Sequence, residues 1–152
     1  MKGAAHKVLG LAIFLQIFFL AASTLAAEYV SVSKDGASIR SAPQAKAEVL
    51  WEVFKDFPLQ VVAHKGKWIQ TVDFEGDKGW ISSSLVSKKK MVIVKAKLGN
   101  MRLGPGANYE TVARVKYGVV FKPVGKKGDW VKVKHADGTT GWLFKDLIWP
   151  AD

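Results

Sequence analysis

The feature that most constrains this chain is an internal duplication. Residues 127–147, KGDWVKVKHADGTTGWLFKDL, have an earlier copy at residues 65–85, KGKWIQTVDFEGDKGWISSSL. The two copies align without a gap over residues 30–86 and 92–148. Identical pairs along this alignment include Arg40/Arg102, Pro43/Pro105, Glu48/Glu110, Gly66/Gly128, Trp68/Trp130, Gly79/Gly141, Trp80/Trp142 and Leu85/Leu147. Such self-similarity at a fixed period indicates a tandem duplication, so we expect two units of one fold.

Each copy carries the pattern of a β-hairpin. A tryptophan opens an alternating run, a turn around Gly76 or Gly138 follows, and a Gly-Trp pair opens a second run. After residue 27 no segment has a sustained helical stripe. The predicted strands are 29–33, 49–54, 59–64, 68–72 and 79–82 in repeat 1, and 91–95, 111–116, 120–125, 130–134 and 141–144 in repeat 2. Five short, closely spaced strands per unit predict a small, strongly bent antiparallel barrel.

The N-terminus has the pattern of a secretory signal peptide. Lys2 and Lys7 precede an apolar run at residues 8–22, and small residues follow it. We expect cleavage after Ala26 or Ala27 and hence an exported protein, periplasmic or extracellular. The alternative is an uncleaved anchor, although the run is shorter than the roughly 20 apolar residues that span a bilayer.

These patterns divide the chain into four parts. A hydrophobic signal helix at 1–27 precedes repeat 1 at 28–87, a linker at 88–90 and repeat 2 at 91–150. The chain has no cysteine, which excludes disulfides, zinc–thiolate sites and cysteine nucleophiles. A unit of about 60 residues buries only a modest core, so packing of one repeat on the other would stabilise both.

Positive charge is concentrated in the second repeat. Residues 28–87 hold seven Lys/Arg and eight Asp/Glu, whereas residues 88–152 hold fourteen and five, within a net charge of +10. For an exported chain this favours anionic envelope polymers or lipid head groups over nucleic acid, which we do not expect as a partner. A solvated basic surface with no specific partner is the alternative.

The sequence of the first hairpin strand of repeat 2 indicates which face of its sheet is buried. In Trp130-Val131-Lys132-Val133-Lys134 the valines share one face, and the tryptophan and both lysines share the other. We predict that the valine face forms the core. Trp130 therefore lies outside the centre of its barrel.

The ordered motifs of both repeats resemble a known family, the bacterial SH3-like (SH3b) domains. The residues that carry the resemblance are Arg102-Leu103-Gly104-Pro105-Gly106, Gly128-Asp129-Trp130, Asp137-Gly138, Gly141-Trp142 and Leu147. Repeat 1 departs from the pattern, with Ala42 at the position of Gly104, Gln44 at that of Gly106 and Lys55-Asp56 at that of Tyr117-Gly118. The resemblance implies an all-β fold of two tandem five-stranded SH3-like barrels, a cell-wall setting, and binding of peptidoglycan or its peptide bridges.

The resemblance also implies where a ligand would bind. Trp130 and Trp68 match the aromatic residue at the edge of the family's ligand groove, and Phe144 and Leu147 match groove positions. Tyr109 and Phe144 have no aromatic counterpart in repeat 1, so repeat 2 is our choice for the binding unit. Arg102 could pair with a ligand carboxylate or brace its own loop. The alternative for the tryptophans is a structural role as lids on the barrels.

The sequence offers little support for catalysis or a bound metal. His64 and His135 occupy non-equivalent positions, and no metalloprotease, phosphate-loop or nucleophile-elbow motif is present. Asp73, Glu75 and Asp77 could hold calcium weakly, but an exposed acidic turn is the better interpretation. We therefore expect no catalytic residue, no metal and no organic cofactor.

Two functions of different class follow. The first is an exported, non-catalytic module that binds a cell-wall polymer or an envelope protein through repeat 2, with membrane contact only through an uncleaved signal. The alternative is a structural adaptor in the periplasm or envelope, without a small ligand, whose aromatic residues lie in a protein–protein or repeat–repeat interface.

Overall fold

The structure is a computed structural model that describes residues 25–151. The predicted signal peptide lies outside this range except for residues 25–27, which are exposed and have no regular structure. Among residues 25–151, no helix has the length and apolar character needed to cross a membrane.

Repeat 1 is one antiparallel sheet with the strand order β3-β2-β6-β5-β4-β1-β7. A single 3-10 turn, Ser83–Leu85, precedes its last strand. The strands are β1 (Glu28–Val32), β2 (Ala37–Arg40), β3 (Val49–Val53), β4 (Pro58–Lys65), β5 (Trp68–Val72), β6 (Lys78–Ser82) and β7 (Val86–Ser87).

Repeat 2 has the same architecture, with the strand order β10-β9-β13-β12-β11-β8-β14 and a 3-10 turn at Lys145–Leu147. The strands are β8 (Val92–Val94), β9 (Leu98–Arg102), β10 (Thr111–Lys116), β11 (Val120–Lys127), β12 (Trp130–Lys134), β13 (Thr140–Phe144) and β14 (Ile148–Trp149). The two sheets correspond strand for strand, which confirms the all-β class and the tandem arrangement.

The number of strands in each repeat differs from the prediction. All five predicted strands are present, but each sheet has seven. One added strand, β2 or β9, lies between the first two predicted strands of its repeat; the other, β7 or β14, has two residues. In β9, Gly99 and Asn100 have low strand propensity, yet the strand pairs with β10 and with β13. Pairing with neighbours overrides local preference here.

Each sheet curls round a core of its own. The predicted alternation in β12 is confirmed, because Val131 and Val133 are buried while Trp130 is only half-buried on the opposite face. In repeat 1, Val53 at one edge of the sheet and Val86 at the other pack against a single apolar cluster. A sheet whose two edges share one core is bent into a barrel.

The repeats also pack on each other through apolar side chains. Ile93 of repeat 2 is fully buried within the core cluster of repeat 1, and Val120 and Trp149 pack against the same cluster. The ring of Trp149 meets that of Tyr29 edge-on, with centroids 5.5 Å apart. The apolar core of repeat 1 is therefore completed by residues of repeat 2.

Polar contacts fix the same interface. In the linker, the Lys89 ammonium lies 2.8 Å from a carboxylate oxygen of Asp56, and the Lys89 carbonyl accepts a hydrogen bond of 2.9 Å from Ser31. The ring of Tyr117 contacts that of Phe74, with centroids 5.2 Å apart and planes tilted by 49°, and its hydroxyl donates a hydrogen bond to Glu75. The hydrogen bond to Glu75 is the main reason that the pKa of Tyr117 rises to about 12.

We expect the Ile93→Ala variant to lose about 2–5 kcal/mol of unfolding free energy, because the deletion leaves a cavity in the shared core. Urea unfolding followed by tryptophan fluorescence measures it. The control is Val124→Ala, which shortens an exposed side chain of the same repeat. Equal, small losses for both variants would contradict a core shared between the repeats.

The Tyr117–Glu75 bond predicts a loss of stability at high pH. The bond needs the protonated phenol, so its contribution is complete below the usual pKa of 10.0 and is lost as pH rises through about 12. We expect the wild type to exceed Tyr117→Phe in stability by a constant margin from neutral pH to about 10, and this margin to close near 12. Paired urea titrations measure it, and a margin that does not narrow would refute the contact.

Candidate ligand groove of repeat 2

An open groove of about 440 Å³ lies on repeat 2, and we call it the repeat 2 groove. It is formed by β9, the loop after β9, the facing ends of β12 and β13, and the second 3-10 turn. Its lining residues are Leu98, Gly99, Asn100, Arg102, Ala107, Trp130, Phe144 and Leu147. Three of the five predicted site residues, Arg102, Trp130 and Phe144, therefore meet at one place.

The aromatic wall of the groove consists of Trp130 and Phe144. The two residues are direct cross-strand partners on β12 and β13, with ring centroids 5.5 Å apart and planes tilted by 57°. Both side chains are half-buried because they lie on the face opposite Val131 and Leu143, which fill the core. The strands thus hold two aromatic surfaces in fixed positions at the edge of the solvent.

The floor of the groove is closely packed at Gly99. A Cβ on Gly99 would lie 2.9 Å from a methyl of Leu147 and 3.3 Å from a methyl of Val115. The equivalent residue of repeat 1 is Ala37, which is buried. The missing side chain lets Leu147 of the 3-10 turn approach β9 closely.

Arg102 links the groove to its loop. Its Nη1 donates a 2.9 Å hydrogen bond to the carbonyl of Tyr109, and Arg40 of repeat 1 makes the same bond to Ala47 at 2.8 Å. The recurrence shows that bracing the loop is a property of both repeats. Because a guanidinium has five N–H donors, Arg102 also keeps donors for a ligand.

Tyr109 lies on the loop and outside the groove lining. Its ring packs on Gly104, where an added Cβ would come within 2.4 Å of two ring carbons. Repeat 1 has Ala42 at the position of Gly104 and Ala47 at the position of Tyr109. Repeat 2 thus packs a large side chain on a glycine where repeat 1 has two alanines. Tyr109 therefore shapes the loop, although its side chain is also 43% exposed.

Trp68, the fifth predicted residue, lies in repeat 1 and does not join the others. Its cross-strand partner is Ser82, so it lacks the aromatic neighbour that Trp130 has in Phe144. Repeat 1 also has Gly36 where the repeat 2 groove has Leu98. Repeat 1 therefore lacks the counterparts of two residues that line the repeat 2 groove, Leu98 and Phe144.

Leu98, Asn100 and Ala107 were not among the predicted site residues. Leu98 and Asn100 lie on β9, between the first two predicted strands of repeat 2, and their side chains alternate with buried Met101. The weak alternation in Leu98-Gly99-Asn100-Met101-Arg102 was the only signal for them, and Gly99 and Asn100 obscured it.

The acidic turn of repeat 1 is closed by its own backbone. Asp73 accepts hydrogen bonds of 2.9 Å and 3.0 Å from the amides of Glu75 and Asp77. Burial raises the pKa of Asp73 despite these two bonds. Within residues 25–151, no group of three His, Cys, Asp or Glu side chains is placed to hold a metal ion.

The family of the chain follows from its match to known domains. The model of the bacterial SH3 domain matches residues 33–88 and again residues 95–150. The chain belongs to the bacterial SH3 domain family. The predicted resemblance and the two tandem SH3-like barrels are confirmed, and the repeat 2 groove lies in the second SH3 domain.

One curated relative and several solved structures are similar to the chain. It is 24% identical over 128 residues to "Putative N-acetylmuramoyl-L-alanine amidase YrvJ" of Bacillus subtilis, covering 77% of the chain but 24% of the relative. The chain thus spans about a quarter of that protein's length. The structure of NlpC1 from Trichomonas vaginalis aligns with a TM-score of 0.37 and 9% identity, covering 85% of this chain and 48% of that one. An NlpC/P60 family protein from Bacillus cereus aligns with a TM-score of 0.37 and 13% identity, covering 79% and 55%.

The contact between Gly104 and Tyr109 predicts an energetic coupling inside the second SH3 domain. We expect Gly104→Ala alone to cost about 1–3 kcal/mol of unfolding free energy, because the new methyl displaces the ring. In a Tyr109→Ala background the same change should cost less than about 0.5 kcal/mol, since the double variant carries the two alanines of repeat 1. A double-mutant cycle in urea measures the coupling, and additive losses would contradict the packing.

Proposed function

We propose that this protein is a non-catalytic binding module that recognises peptide segments of peptidoglycan through the repeat 2 groove. The observation that carries the proposal is the pairing of Trp130 with Phe144 at 5.5 Å beside an open groove, in the one repeat that has both aromatics. The relative from Bacillus subtilis supports the choice of ligand, because its name is that of an amidase for N-acetylmuramoyl-L-alanine, a peptidoglycan linkage.

The lining of the groove suits a short peptide with a free carboxylate. Trp130 and Phe144 offer rigid apolar surface, which gives contact area at low cost in side-chain entropy. Asn100 can bond to peptide amides, and the unused donors of Arg102 can pair with a carboxylate. The surplus of positive charge on repeat 2 would attract such an acidic ligand from a distance.

The proposed ligand places the protein outside the cytoplasm, in the periplasm or at the cell wall. The signal-peptide pattern at residues 1–27 supports export on independent grounds. An envelope protein that presents an acidic peptide could occupy the same groove, and competition with soluble peptidoglycan fragments would distinguish the two ligands.

The contacts between the repeats give little support to the adaptor alternative. The aromatic residues at that interface are Tyr29, Phe74, Tyr117 and Trp149. Trp130 and Phe144 instead line a groove within their own repeat. The adaptor function requires that Trp130 and Phe144 be covered, either by self-association of the chain or by a partner protein. Light scattering of the full chain, alone and with a candidate partner, tests for both.

We predict that substitutions in the repeat 2 groove weaken the binding of the protein to peptidoglycan. We expect the double variant Trp130→Ala, Phe144→Ser to reduce retention of the full chain on purified peptidoglycan by about tenfold or more, since it removes both stacking surfaces. Serine is the residue that repeat 1 has at the position of Phe144, namely Ser82, so the fold should tolerate it. A pull-down with quantified bound and free fractions measures the effect.

The matched control for this experiment is Trp68→Ala, which removes the equivalent tryptophan of repeat 1. We expect it to change retention by less than about twofold, because Trp68 faces Ser82 and not a second aromatic ring. Circular dichroism confirms that each variant is folded. Retention that is unchanged in the double variant, or lost equally in the control, would overturn the assignment to repeat 2.

A further inference from the structure

We propose that repeat 2 has a second binding surface, on the outer face of β11 and β12, that takes a linear phosphate polymer. The surface consists of Lys122, Lys132 and Lys134 beside Trp142, and we call it the lysine face. It adjoins the repeat 2 groove but shares none of its lining residues. The proposal rests on charge and strand register, and it stands independently of the ligand of the groove.

Strand register brings the three lysines together. Lys122 of β11 and Lys134 of β12 are direct cross-strand partners, and Lys132 lies two residues along β12 on the same face. Directly opposite residues have Cβ atoms about 5 Å apart, and residues two apart on one strand are about 7 Å apart. Lys132 is in turn the cross-strand partner of Trp142 on β13. Three cations thus share a patch about two residues long and two strands wide.

The arrangement carries a local electrostatic cost. Like charges directly opposite each other destabilise an antiparallel pair. Among residues 25–151, none of these lysines takes part in an ion pair. Of the acids near the two ends of the hairpin, Asp129 pairs with Lys145 at 3.0 Å, and Asp137 lies 3.0 Å from the imidazole of His135. An external anion is therefore the available counter-charge.

Repeat 1 shows that the fold does not require these lysines. Its residues at the positions of Lys122 and Lys132 are Gln60 and Gln70, and Val72 stands at the position of Lys134. Gln60 and Val72 are likewise cross-strand partners. The same strands thus form a barrel with no charge at these positions, so the lysine face is an addition specific to repeat 2.

The chemistry of the face favours phosphate over carboxylate. Lysine is a compact point charge and a common phosphate ligand, whereas the planar fork of an arginine binds carboxylate and phosphate alike with two parallel hydrogen bonds. The nearest arginine by register is Arg102, which pairs with Trp142 and already donates to the Tyr109 carbonyl. A patch of three cations only two strands wide also fits a single chain of phosphates better than the plane of a membrane.

The experiment measures binding of long-chain linear polyphosphate to the full chain by isothermal titration at several salt concentrations. The test variant is Lys122→Gln, Lys132→Gln, Lys134→Gln, which introduces the glutamines of repeat 1 at the first two positions. The control variant is Lys88→Gln, Lys90→Gln, Lys95→Gln, which removes the same charge from three exposed lysines elsewhere.

We expect the test variant to bind polyphosphate about tenfold or more weakly, and its slope of log affinity against log salt to fall by about 2. The control should lose less than about threefold. Equal losses in both variants would show that only net charge matters and would overturn the site. No binding by the wild type, or no loss in the test variant, would overturn it as well.

Three further arms identify the ligand chemistry. Polyglutamate that binds as tightly as polyphosphate would overturn the choice of phosphate, and anionic lipid vesicles that bind more tightly would replace the polymer with a membrane surface. Oligo-dT of equal phosphate number should bind no more tightly than polyphosphate, and tighter binding by tenfold would indicate a nucleic acid. The groove variant Trp130→Ala, Phe144→Ser should keep its affinity for polyphosphate, which separates failure of this proposal from failure of the groove.

Discussion

The constraint on which the structure depends is the alternation of side chains along β12. Because successive residues of a strand point to opposite faces, burying Val131 and Val133 places Trp130, Lys132 and Lys134 together on the outer face. Pairing with β13 then sets Phe144 beside Trp130 and Trp142 beside Lys132. The repeat 2 groove and the lysine face are thus two parts of one outer surface. A shift of β12 by one residue would turn both surfaces inward and expose Val131 and Val133.

Divergence after the duplication has given the two repeats different side chains on their outer faces. Repeat 1 keeps the tryptophan and the loop-bracing arginine of the fold, but it has neither Phe144 nor the three lysines. Its core is completed by Ile93 from repeat 2, and Tyr117, which stands where repeat 1 has Lys55, reaches back to Phe74 and Glu75. The two repeats are therefore held together by a shared core and by polar contacts, and both surfaces that we propose for binding lie on repeat 2.

Strand alternation and the duplication were sufficient to predict the fold class and the core face of β12, and the resemblance to the SH3b family pointed to Trp130 and Phe144 as groove positions. They were insufficient for β9, since Gly99 and Asn100 carry no strand signal and their strand exists through pairing with β10 and β13. Tyr109 was grouped with the groove aromatics because its distance from Gly104 cannot be read from spacing. The interface between the repeats was equally hidden, because Ile93 looks like any other core residue until the partner surface is known.

The most direct test of this account is to map a bound peptidoglycan peptide on the protein by the backbone amide chemical shifts of the full chain. The account predicts that the largest shift changes fall on the segments that form the repeat 2 groove, at Trp130, Phe144 and β9, while the equivalent segments of repeat 1 stay unchanged. Changes centred on Trp68 and Ser82, or on the interface between the repeats, would contradict it.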